Sequence, residues 1–127
     1  MASIGGQYNA ISRVASGNLN FADPAQYRLV QRGTGQDVYL ASASGAVVEG
    51  VLRNSPQNNE HATVVNWGHA KVSLGGSLGI GATIMSNNTG FAILASSGAC
   101  QVGRLMSAAD SGLIAEAFIT IVGTPTV

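Results

Sequence analysis

The chain has 127 residues, of which only 9% are charged, and its six basic and six acidic side chains cancel to a formal net charge of zero. That length suits a single domain, and so little charge favours association with a partner or with further copies over free diffusion. Arg13, Arg28, Arg32, Arg53, Lys71 and Arg104 are scattered, which excludes a phosphate-tracking face and direct nucleic-acid binding, and no apolar run approaches the roughly 20 residues of a membrane helix.

Residues 1–25 read as an N-terminal arm. Gly, Ser, Asn and Ala dominate it, with single apolar residues at Ile4, Ile11, Val14, Leu19 and Phe21. Ile11, Val14 and Phe21 are the candidate anchors onto a neighbour or onto the domain's own flank. Ile11 and Val14 are one helical turn apart, but Gly17 and Asn18 would stop a helix at once, so at most a short turn is expected. No basic, then apolar leader opens the chain, and synthesis in the cytoplasm is the expectation.

Residues 26–127 read as one β domain. Tyr27 and Leu29 alternate with Arg28, the stretch Arg32-Gly33-Thr34-Gly35 is turn-prone, and Asp37 to Leu40 forms a second short strand. Val48, Gly50 and Leu52 share one face of a third strand, opposite Glu49, Val51 and Arg53. Asn54 to Glu60 reads as a solvated loop. Ala62–Trp67 and Ala70–Leu74 flank Gly68 as a tight hairpin, with Ala70, Val72 and Leu74 inward and His69, Lys71 and Ser73 outward. After the loop Gly75 to Gly81 come a strand at Thr83–Met85, a turn at Asn87-Asn88-Thr89-Gly90 and a strand at Phe91–Ala95. Gln101 to Met106 is a further strand, and Leu113 to Val122 is the central one. Nothing reads as a convincing helix. The fold class is all-β, a small barrel or sandwich.

One tract occurs twice. Leu40-Ala41-Ser42-Ala43-Ser44-Gly45-Ala46-Val47-Val48-Glu49-Gly50-Val51-Leu52 returns, one residue shorter, as Leu94-Ala95-Ser96-Ser97-Gly98-Ala99-Cys100-Gln101-Val102-Gly103-Arg104-Leu105. Gly45 matches Gly98, Gly50 matches Gly103 and Leu52 matches Leu105, whereas Glu49 falls opposite Val102 and Val51 opposite Arg104. What is duplicated is scaffold rather than an active site. Gly50 and Gly103 sit in mid-strand, where a missing side chain marks a bulge, a barrel corner or a close backbone approach. One such bend per half would close a small sheet built from two pseudo-repeated strand-turn-strand halves.

Candidate chemistry is sparse. His61 and His69 lie on the two strands of the expected hairpin, but only Glu60 is adjacent as a further ligand, so they read as exposed strand residues and no metal site is expected. Gly75-Gly76-Ser77-Leu78-Gly79-Ile80-Gly81 lacks the Gly-Lys-Ser/Thr ending of a phosphate loop and precedes a strand, so it reads as a loop needing several positive φ values. No serine sits in Gly-x-Ser-x-Gly, and the lone Cys100, opposite Val47 in the repeat, reads as a small core residue. Asp23, Asp37, Glu49, Glu60, Asp110 and Glu116 show no local pairing. No catalytic residue and no cofactor is expected. Trp67, the sole tryptophan, sits at the tip of the expected hairpin, and the charge-poor surface favours an interface role for it.

The motifs Gly68-His69-Ala70-Lys71-Val72, Gly81-Ala82-Thr83-Ile84, Gly90-Phe91-Ala92 and Val102-Gly103-Arg104-Leu105, with Gly45 and Gly50-Val51-Leu52 upstream, follow a recognisable pattern. It resembles that of the capsid decoration, or cement, proteins of tailed bacteriophages over most of residues 26–122. Ala82 departs from it, standing where that family often has Asp, and the arm is not covered. The resemblance implies a non-enzymatic virion protein that binds the outer face of the expanded capsid. Its implied partners are the major capsid protein and further copies of itself, as a homotrimer or dimer, and it would bridge capsid subunits without a cofactor, nucleic acid or membrane. Gly81 and Arg104 join Ile11, Val14, Phe21, Gly50, Trp67 and Gly103 as candidate structural or interface residues. The alternative is a ligand- or carbohydrate-binding β module of a phage tail or surface adhesin, and a third class, a small hydrolase, would need His61 or His69.

Overall fold

A computed structural model describes residues 8–16, 26–33, 35, 37–45, 47–54, 56–96, 100–110 and 112–122. The regular structure among them is nine strands: β1 Tyr8–Ala15, β2 Leu29–Arg32, β3 Asp37–Leu40, β4 Gly50–Leu52, β5 His61–Ser73, β6 Thr83–Ser86, β7 Ala92–Leu94, β8 Gln101–Leu105 and β9 Ile114–Val122. Phe21 and Gly98 lie outside the described residues.

The strand order is β1-β3-β2-β4-β5-β9-β8-β6-β7, and β1 also pairs with β5. That extra pairing closes β1, β3, β2, β4 and β5 into a five-strand barrel, and the other strands continue from β5. The order is palindromic, with β3-β2-β4-β5 answered by β7-β6-β8-β9. In each half a hairpin is followed by a strand that returns beside its first member, then by a long strand antiparallel to that one. The closing contacts correspond as well. β1 lies antiparallel on β5 and ends in parallel pairing with β3, through Val14 on Asp37 and Ala15 on Val38. The distal part of β5 lies antiparallel on β9, and Leu74 just beyond it bridges Ala92 of β7 in parallel. β5 therefore serves both halves.

Two expectations are corrected here. The apolar runs around Gly68 form one 13-residue strand, not a hairpin. Gly68 takes φ 98° inside it, and the register of β1 slips between Asn9 on Trp67 and Ala10 on Val65. The slip leaves Asn66 as the extra residue of a bulge, two positions before the glycine. β5 leaves β4 at Val65 and takes up β9 at Trp67, so each half finds a partner elsewhere and has no need to fold onto the other. The second correction concerns Ile11 and Val14, whose spacing admits at most a short turn. They lie in β1, because continuous pairing with β5 supplies hydrogen bonds that a single isolated turn cannot.

The core falls into two clusters. Ala15, Val30, Val38, Leu52, Ala62 and Val64 fill the barrel, with Ile11 and Leu40 packed against them. Leu29, Ala41, Val48 and Val51 join Val72, Leu74, Ile84, Val102, Leu105 and Ile119 of the second half in the larger one. β2 and β4 stand between the clusters, so Leu29 and Val51 face one and Val30 and Leu52 the other. A wall buried on both sides must be apolar throughout, which is why Val51 is buried although it alternates with Leu52; Val48, expected on the face of Leu52, precedes the strand and joins the cluster of Val51.

Candidate functional site

The outer face of β5, β9 and β8 groups exposed aromatic and apolar side chains. On β9 the small Ala115 and Ala117 and the bulky Ile119 point into the core, which turns Ile114, Glu116, Phe118 and Thr120 outward. Register sets Trp67 across from Thr120, His69 across from Phe118 and Lys71 across from Glu116. It also sets Arg104 of β8 across from Phe118. The Phe118 ring receives two edge-on neighbours, Trp67 with centroids 5.3 Å apart at 75° and His69 at 5.5 Å and 88°. Such T-shaped pairs match ring edge to ring face and hold the rings in place. Trp67 nevertheless keeps 47% of its surface exposed.

Beside the aromatic cluster lies a depression lined by Ile80, Gly81, Arg104, Leu105, Met106, Phe118 and Thr120. Ile80, on the loop between β5 and β6, is 75% exposed, and Met106 is exposed too. Arg104 is the one charged residue in that lining, and among the described residues its guanidinium has no hydrogen-bond or ion-pair partner. In the Gly75 to Gly81 stretch only Gly81 has a positive φ, at 87°, so the expectation of several such residues is not met.

Three of the sequence candidates, Trp67, Gly81 and Arg104, thus meet on one face. Gly103 lies beneath it: a β carbon there would overlap the Phe118 carbonyl oxygen, so the bare glycine lets β8 close onto β9. Gly50 has the same relation to the Val65 carbonyl in the barrel wall. Ile11 and Val14 sit on β1, away from the depression, although β1 begins beside Trp67. The residues not anticipated are Phe118, Ile80 and Met106. Alternation in Leu113 to Val122, with small residues at 115 and 117, carries the signal for Phe118, whereas nothing local marks Ile80 or Met106.

The unmatched positions of the duplicated tract also find their places. Glu49 bonds Arg13 of β1 at 2.8 Å, tying that strand to the barrel, while Val102 opposite it in the repeat is fully buried. Val51 is buried against the second half, while Arg104 opposite it is exposed. His61 and His69 share one strand, and His61 Nε2 lies 2.9 Å from Thr63 Oγ1. Among the described residues no group of three or more His, Cys, Asp and Glu could hold a metal ion. Cys100 is buried, and its amide donates to the Gly45 carbonyl at 3.2 Å, joining the two copies of the tract.

No protein-family model matches the chain, and no curated protein matches it. Among solved structures, its fold is similar to that of the N base of the head fiber gp8.5 of bacteriophage phi29. The TM-score is 0.70 over 90% of this chain and 95% of that one, at 16% sequence identity. The likeness is one of fold.

Proposed function

We propose that the chain is a structural protein of a bacteriophage virion that binds the outer surface of the head and braces the expanded shell by bridging major capsid proteins. The observation that carries this reading is the all-β fold shared with a phage head-fiber base over nearly the whole of both chains. The decoration-protein motifs of the sequence point the same way. Bracing a shell calls for buried area rather than chemistry, of the order of 800 Å² per partner in an ordinary stable interface. The exposed face of Trp67, Phe118, Met106 and Arg104 offers the residue types that protein interfaces concentrate. In this reading the chain works as a homo-oligomer, a trimer or a dimer, with no cofactor and no catalytic step.

The test is co-sedimentation of the purified chain with empty expanded phage heads, together with light scattering to count its subunits. Saturable binding at a fixed number of copies per head, and heads that resist heat better for it, are expected. A monomer that leaves expanded heads unbound overturns the reading.

A second reading, a glycan-binding module, is favoured by the exposed Trp67 ring, which offers a flat surface for a sugar to stack on. It predicts saturable quenching of Trp67 fluorescence by soluble glycans. The capsid reading predicts quenching by heads and none by glycans.

A further inference from the structure

The duplicated architecture shows what belongs on the face around Arg104. In the first half, Val51 of β4 pairs with Val65 of β5, and both are buried. Val51 is covered there by the second half, through Val72, Leu74 and Ile84. In the second half the corresponding cross-strand pair is Arg104 of β8 with Phe118 of β9. Among the described residues nothing covers this wall as the second half covers Val51: Arg104 is exposed, and a cation and an aromatic ring stand in place of two valines.

The loop beside this wall supplies a second observation. Gly79 has no positive φ and nothing within 4 Å of where its β carbon would stand. Neither conformation nor packing among the described residues calls for a glycine there, although glycine costs conformational entropy on folding. A bare backbone in open space leaves room for close approach from outside. Gly79 directly precedes Ile80 and Gly81, which line the depression.

We infer that the depression beside Arg104 receives an extended segment of a partner protein that brings one carboxylate to the guanidinium and one apolar side chain to Ile80, Met106 and Phe118, with its backbone passing over Gly79. The inference rests on the capsid-binding reading and names the chemistry of the capsid segment. Charge complementarity selects it, because the described residues of the lining include one cation and no anion. The planar fork of arginine fits a carboxylate through two parallel hydrogen bonds. A nucleic acid would need several cations here and finds one.

The experiment compares the wild-type chain with Arg104→Glu, Arg104→Lys and Gly79→Val in binding to empty expanded heads, with melting temperature and subunit count measured for each. Arg104→Glu is expected to weaken binding by about tenfold to a hundredfold, the range for losing a hydrogen bond to a charged group. Arg104→Lys, which keeps the charge and loses the fork, should fall between it and wild type. Gly79→Val is expected to keep or raise the wild-type melting temperature and still lose binding, a combination that a merely structural role for the loop does not produce. If the wild type binds heads and both Arg104→Glu and Gly79→Val bind equally well, the inference fails and the capsid reading stands. If the wild type does not bind heads, both fail. If Arg104→Glu changes the subunit count and leaves head binding intact, the depression is a contact between copies and the inference is overturned.

Discussion

At the scale of the residue, three glycines separate packing from exposure. Gly50 and Gly103 are bare because the backbone of the next strand occupies the place of a β carbon. Gly50→Val and Gly103→Ala should therefore push β4 from β5 and β8 from β9, at a cost of about 1–3 kcal/mol or more, the range for overpacking a filled site. Urea unfolding checks this, and a Gly50→Val chain with the wild-type midpoint counts against it. Gly79→Ala should do the reverse. With nothing near its β carbon, the substitution restricts the unfolded chain and stabilises by about 0.4–1 kcal/mol. Gly50, read as mid-strand, opens β4, whereas Gly103 is legible in the sequence because a missing side chain inside an apolar strand has few explanations. The role of Gly79 is not, since a glycine in a loop looks the same whether the loop or a partner calls for it.

At the scale of the element, β5 and β1 carry the difference between local pattern and tertiary outcome. Apolar runs on both sides of Gly68 suggest a hairpin, yet β5 pairs with β4 up to Val65 and with β9 from Trp67, so neither run has to fold onto the other. The strand continues instead, with Gly68 at φ 98° inside it. Gly68→Ala should then cost about 1–3 kcal/mol, the usual strain for a side chain in that region, with the loss read from the denaturation midpoint. β1 is fastened to the barrel by the Arg13 to Glu49 ion pair, each side chain 17% exposed. A double-mutant cycle through Arg13→Ala and Glu49→Ala should return a coupling of about 1 kcal/mol or less, since solvent still screens part of the pair. A coupling of zero would mean that strand pairing alone holds β1 in place.

At the scale of the whole molecule, the two halves share a strand and a core. β5 closes the barrel with one end and supports β9 with the other, while Leu29 and Val51 of the barrel wall pack among side chains of the second half. Neither half keeps its buried surface without the other, so unfolding should be a single transition. Trp67 lies where β5 passes from one half to the other, so its fluorescence should lose structure at the same denaturant concentration as far-ultraviolet circular dichroism. Two separated transitions would sink the idea. Removing residues 1–15 takes β1 out of the barrel and uncovers Ala62 and Val64, which should lower the midpoint while leaving the two probes coincident.

Legible in the sequence alone are the all-β class, the positions of β3, β6, β7, β8 and β9 to within a residue or two, the duplicated tract, and Gly103 as a mid-strand glycine. These follow from the period of a strand and the size of a side chain, which act between near neighbours. The tertiary structure alone decided that Tyr8–Ala15 is a strand, that β5 runs through Gly68, and that Trp67, Phe118, Ile80 and Arg104 share one exposed face. Each of those depends on which distant segment covers an edge or a wall. Residues far apart in the chain compete for that place, and local pattern does not record the winner.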